Sequence, residues 1–141
     1  MFEHGDGVAK DTAEGIRWYR LAAEQGHVEA QYSLGYMFEH GDGVAQDTAE
    51  AIRWYRLAAA QGYEEALWTL GVMFWLGRGV AQDTAEAIRW YRLAAEQGHA
   101  EAQFNLGDMF EHGDGVAQDA AEAIRWYRLA AEQGFVESRW W

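Results

Sequence analysis

The chain of 141 residues contains no cysteine. That absence removes disulfides, Cys-ligated zinc and thiol nucleophiles together, and it leaves the redox compartment unreadable. Basic residues are scarce: 11 Lys and Arg stand against 23 Asp and Glu, for a formal net charge of -12. Such a surface repels phosphate backbones and anionic lipid, so neither nucleic acid nor a membrane surface is an expected partner. No apolar run approaches the roughly 18–20 residues needed to cross a bilayer. The opening MFEHGDGVAK lacks the apolar stretch of a signal peptide. Localisation stays open: cytoplasmic as the chain reads, periplasmic or secreted if a leader precedes it. Serine occurs only at Ser33 and Ser138, neither in a nucleophile-elbow context. No strand signal precedes a glycine-rich loop, and the many carboxylates read as solvated helix faces. The expectation is a non-enzyme with no catalytic residue, no cofactor and no metal.

What the chain has is repetition. RWYRLAAEQG ends at Gly26, Gly98 and Gly134, and its near-copy RWYRLAAAQG ends at Gly62, a step of 36 residues each time. Complete units run 27–62, 63–98 and 99–134, with partial units at 1–26 and 135–141, so the whole of 1–141 reads as one array. Half of the residues are hydrophobic and 15% are aromatic, enough for a core. Repeats of this length are helix pairs that bury their apolar faces only by stacking.

Within 27–62, helix A is expected over Val28 to His40, with Ala30, Leu34, Met37 and Phe38 at helical spacing. Gly41-Asp42-Gly43 stops it. Asp47-Thr48-Ala49-Glu50 is a capping-box pattern that opens helix B with Asp47 as N-cap. Ile52, Tyr55, Ala58 and Ala59 form its apolar stripe, and Gly62 starts the next turn. Gly35 stands mid-helix and recurs at Gly71 and Gly107. Glycine there costs about 1 kcal/mol relative to alanine, which points to a close helix approach that a side chain would block.

Ala30-x-x-x-Leu34-Gly35-x-x-Phe38-x-x-Gly41-x-Gly43-Val44-x-x-Asp47, followed by Ala51-x-x-Trp54-Tyr55-x-x-Ala58-Ala59-x-x-Gly62, resembles the Sel-one-like repeat, a relative of the tetratricopeptide repeat. The resemblance recurs in every unit. It implies an all-α, right-handed α-solenoid of 36-residue helix–turn–helix repeats. It also implies a non-catalytic role as a protein- or peptide-binding scaffold or adaptor of bacterial type. Two departures stand out. The proline that often follows the loop valine is Ala45, Ala81 and Ala117 here. A cysteine-rich bacterial branch linked to penicillin binding staples its repeats with disulfides, and a chain without cysteine does not belong to it.

By the same resemblance, helix A lines a concave groove. The candidate groove residues are Glu29, Tyr32, Ser33 and Tyr36 in the first full unit. The second supplies Glu65, Trp68, Thr69, Val72, Trp75 and Leu76. The third supplies Glu101, Phe104, Asn105 and Asp108. Glu39, His40, Glu111 and His112 fall on the same face. The aromatic row at 32, 68 and 104 can equally pack between helices. An apolar centre flanked by acidic ends suits a partner with basic and apolar residues together.

Other readings are weaker. Glu39-His40-Gly41-Asp42-Gly43 recurs as a loop at residues 3–7 and 111–115 and offers carboxylate and imidazole ligands. Unit two replaces it with Trp75-Leu76-Gly77-Arg78-Gly79, keeping the glycines and losing every ligand, and adjacent Glu and His project about 100° apart. Arg53-Trp54-Tyr55-Arg56 could stack on bases, but its aromatics sit at packing positions and the net charge opposes RNA. The alternative to a scaffold is a structural segment of a longer array with an assembly or spacing role; a hydrolase ranks last. Met1 aligns with Met37, Met73 and Met109, so the chain reads as starting inside a repeat. Head-to-tail self-association of the ends is a further expectation.

Overall fold

The computed structural model describes residues 5–135, with side chains from residue 13 onward. Every regular element among them is a helix: α1 (Gly5–Glu24), α2 (Val28–His40), α3 (Thr48–Ala60), α4 (Glu64–Leu76), α5 (Thr84–Glu96), α6 (Ala100–His112) and α7 (Ala120–Glu132). The chain is an all-α solenoid-type repeat protein in which α2, α4 and α6 are A helices and α1, α3, α5 and α7 are B helices. It divides into two compact units, 1–66 and 67–141, with the boundary inside α4.

Each B helix after the first starts at an aspartate. Asp47, Asp83 and Asp119 are extended and accept the backbone N–H of Glu50, Glu86 and Glu122, each at 3.1 Å. This satisfies an amide that the first helical turn would leave unpaired. The A helices are capped less conventionally: the Nδ1 of His27 and of His99 accepts from Ala30 N and Ala102 N, at 3.4 and 3.2 Å. At the other end of α2, Gly41 takes φ 67°, a left-handed conformation that a side chain disfavours. The loop then closes by Asp47 N donating to Phe38 O at 2.9 Å and Gln46 Nε2 donating to Glu39 O at 2.8 Å.

In the unit 1–66, α2 packs against α1 and α3. Ala30, Leu34 and Phe38 face inward to meet Ala51, Ile52, Trp54, Tyr55, Ala58 and Ala59, all buried. Gln31 donates to Ala23 O at 3.1 Å and accepts from Gln61 Nε2 at 2.9 Å, joining three elements. In the unit 67–141, α6 packs against α5 and α7. Gln103 repeats the role, donating to Ala95 O and accepting from Gln133. Leu67, Leu70, Met73 and Leu106 fill the core.

The mid-helix glycines do what the sequence suggests. A Cβ on Gly35, Gly71 or Gly107 would lie 2.6–2.7 Å from Cδ1 of Tyr55, Tyr91 or Tyr127. The tyrosine ring of α3, α5 and α7 therefore lies directly on the backbone of its A helix.

One expectation needs correcting. Gly5, Asp6 and Gly7 are not a loop but the start of α1, a helix of 20 residues where the other B helices have 13. Elsewhere that loop is fastened to the preceding A helix, as Asp119 N is to Phe110 O. The corresponding acceptor here belongs to Phe2, which lies outside the described residues. The helix stubs expected at 1–4 and 135–141 also lie outside them, apart from Phe135.

Candidate functional site

Each A helix exposes one narrow face, and its composition changes from repeat to repeat. In α2 and the start of α4, Glu29, Tyr36 and Glu65 are exposed, while Tyr32 and Ser33 are half-buried. Tyr32 is held by rings on both sides, with centroids 5.2 Å from Tyr55 and 5.4 Å from Tyr63. Partial burial, and then the carboxylates of Glu29 and Glu65, push the Tyr63 phenol above its usual range. This part of the surface is acidic and lined with tyrosine. Glu39 is absent from it: it is buried and accepts from Tyr55 Oη at 2.6 Å.

In the unit 67–141 the same face is apolar on α4 and acidic on α6. Leu76 is 58% exposed, and Val72 and Trp75 are half-exposed. On α6, Glu101 is exposed and Phe104, Asn105, Asp108 and Glu111 are half-exposed. Trp68 joins the two helices: its Nε1 donates to Asn105 Oδ1 at 2.8 Å and its ring stacks on His99 at 5.6 Å. Phe104 is engaged in the same manner as Tyr32, with Tyr127 at 5.3 Å and Phe135 at 5.4 Å. The aromatic row at 32, 68 and 104 thus belongs partly to packing, and the freer apolar groups are Val72, Trp75 and Leu76.

Thr69 does not belong to this surface. It is 7% exposed. Its short branched side chain stays close to the helix, in the row of Ala66 and Met73, both fully buried. Trp75 stands where α2 has Glu39 and α6 has Glu111. Tyr55 and Tyr127 each donate to such a carboxylate at 2.6 Å. The corresponding Tyr91 instead has its phenol pushed up by burial.

Adjacent Glu and His diverge on a helix, yet a carboxylate one turn earlier brings three groups together. Ligand-type atoms of Asp108, Glu111 and His112 lie within 4.8 Å of one another, because Asp108 is one turn before His112. These groups already engage one another and their surroundings. His112 Nδ1 is 2.9 Å from Asp108 O and 3.4 Å from its Oδ1, and Tyr127 Oη donates to Glu111 Oε1 and reaches Asp108 Oδ1 at 3.4 Å.

The helix pairs and their recurrence every 36 residues define a helical-repeat protein. The Sel1 repeat family matches residues 1–27, 28–63, 64–99 and 100–135, and the chain belongs to that family. Its members serve generally as non-catalytic scaffolds that bind proteins. A Sel1 repeat protein from Oxalobacter formigenes is 42% identical with TM-score 0.80, the match covering 85% of this chain and 90% of that one. A protective antigen of uropathogenic Escherichia coli with the same repeat fold is 48% identical with TM-score 0.84, over 89% of this chain. The present chain spans only 27% of that antigen's length. Cysteine-rich protein B of Helicobacter pylori shares the fold at 21% identity and TM-score 0.69, over 93% of this chain and 94% of that one. No curated protein matches the chain. No described helix is long and apolar enough to cross a membrane.

Proposed function

We propose that residues 1–141 form one Sel1 array that works as a non-catalytic scaffold and binds a protein segment bearing basic and apolar residues on its A-helix face. The reading is carried by Leu76, Val72 and Trp75 of α4 lying open beside the acidic α6 face of Glu101, Asp108 and Glu111. Apolar anchors ringed by like-signed charge are what a basic amphipathic segment recognises. The A face of the first unit, with Glu29, Tyr36 and Glu65 exposed, offers the same sign of charge.

Selection of random peptides on the immobilised chain tests this. Selected peptides are expected to combine Lys or Arg with Leu, Ile or Phe, and their binding to weaken with salt. A Val72→Asp, Leu76→Asp chain should lose affinity about tenfold or more, about 1.4 kcal/mol, with its melting curve little changed. Acidic winners, or affinity indifferent to the double substitution, refute the assignment.

A further inference from the structure

Residue 63 breaks the pattern of the repeat. His27 and His99 hold the same position, and the imidazole of each accepts the N–H of Ala30 or Ala102 in the first turn of the A helix that follows. Tyr63 has no ring nitrogen for that bond. Its ring lies instead against Tyr32, with centroids 5.4 Å apart and planes tilted by 49°. Tyr32 is held from behind by the fully buried Tyr55 at 5.2 Å. Tyr32 and Tyr63 are both half-buried, so part of each ring faces solvent. The ring pair by itself is packing, because Phe104 and Phe135 meet in the same way at 5.4 Å in the unit 67–141. What the unit 1–66 adds is polar.

Two carboxylates flank the Tyr63 ring. Glu29 is one turn before Tyr32 on α2, and Glu65 is in the first turn of α4; both are exposed. Both lie close enough to Tyr63 for their charge to add to burial in raising its phenol. No hydrogen bond among the described residues engages the Tyr63 hydroxyl. The arrangement therefore presents negative charge, aromatic surface and an open acceptor together. A guanidinium answers all three. It is permanently cationic, it is planar and stacks on an aromatic face, and its N–H groups only donate. Its fork can also reach two acceptors at once, which an ammonium, acting as a point charge, does less well.

We propose that Glu29, Tyr32, Tyr63 and Glu65 form a receptor for one arginine side chain of a protein partner, with the guanidinium laid on the Tyr63 ring and bonded to the carboxylates. The proposal rests on the A-face reading for the partner, and it names the basic residue that the unit 1–66 recognises. Charge complementarity selects the occupant: an acidic segment is repelled by both glutamates, and a purely apolar one would desolvate them without return.

NMR titration of the full chain with N-acetylarginine amide tests the site. The ring signals of Tyr63 and Tyr32 should move along a saturating curve in the millimolar range, as one exposed side chain supplies. Nα-acetyllysine amide should bind about threefold more weakly or worse. N-acetylcitrulline amide, alike in shape but uncharged, should leave the rings unmoved. Glu29→Gln with Glu65→Gln changes only exposed side chains, so helicity by circular dichroism should be kept and the arginine response lost. If that pair loses helicity, Glu29→Gln alone carries the test and should weaken binding about threefold. Val72→Asp with Leu76→Asp should leave the titration unchanged, so the two readings fail separately: peptides indifferent to that pair sink the A-face reading, whereas the arginine titration decides this site. Rings that do not move overturn the proposal. So do equal shifts with lysine amide, citrulline amide or magnesium chloride at matched ionic strength, or a glutamine variant that responds like wild type.

Discussion

Two glycine-to-alanine substitutions, both inside helices, should move stability in opposite directions. At Gly71 the added Cβ would lie 2.7, 2.8 and 3.2 Å from Cδ1, Cε1 and Cγ of Tyr91. Carbon atoms rest at about 3.5–4.0 Å, so the ring must retreat by roughly 0.8 Å. Tyr91 is 3% exposed and has no route to solvent. Overpacking of this kind costs about 1–3 kcal/mol, and the better helix propensity of alanine returns up to about 1 kcal/mol. Gly71→Ala should therefore destabilise by about 0–2 kcal/mol, and Gly71→Leu by more. At Gly15 nothing lies within 4 Å of an added Cβ, so Gly15→Ala should stabilise by about 0.5–1 kcal/mol. Thermal melts by circular dichroism read both, at about 2–4 °C per kcal/mol for a chain of this size. The deciding measurement is a double-mutant cycle. In a Tyr91→Ala background the cost of Gly71→Ala should vanish, since the ring it strikes has gone. A Gly71→Ala chain that melts as high as Gly15→Ala, or a cost that persists without the ring, would refute the close-approach argument.

Tyr55→Phe removes the hydroxyl that donates to Oε1 of the buried Glu39 at 2.6 Å; urea denaturation should show a loss of about 1–3 kcal/mol. Asp83→Ala deletes the acceptor for Glu86 N and should cost about 1 kcal/mol, with faster amide exchange confined to the first turn of α5. The hydrogen bond from Arg53, opposed in part by burial, holds the Glu50 carboxyl below its ordinary 4.5. A lowered carboxyl stabilises the fold above its unfolded value and loses that contribution as pH falls through the folded value. Wild type should therefore exceed Glu50→Gln by no more than a few tenths of a kcal/mol at neutral pH, because the pair is solvent-screened. The difference should shrink once pH drops below 4.5.

Much of this architecture is local and can be read without coordinates. The 36-residue period, the A helix over Val28–His40 and the aspartate that caps each B helix after the first follow from side chains within one turn of each other. Gly35, Gly71 and Gly107 announce a close contact because their helix cost has no local return. What touches them is another matter: that the contact is the ring of Tyr55, Tyr91 or Tyr127 depends on how two helices cross. The glutamine relay through Gln31 and Gln61 spans 30 residues and carries no local signature. Helical spacing places Thr69 and Glu39 on the groove side. The structure buries both, because an intervening position turns outward or inward according to the neighbouring helix rather than its own period. Trp18 and Trp126 occupy one position of the repeat, in nearly the same stretch of sequence. One is open and the other buried, since burial is set by what packs against the helix and not by the helix itself.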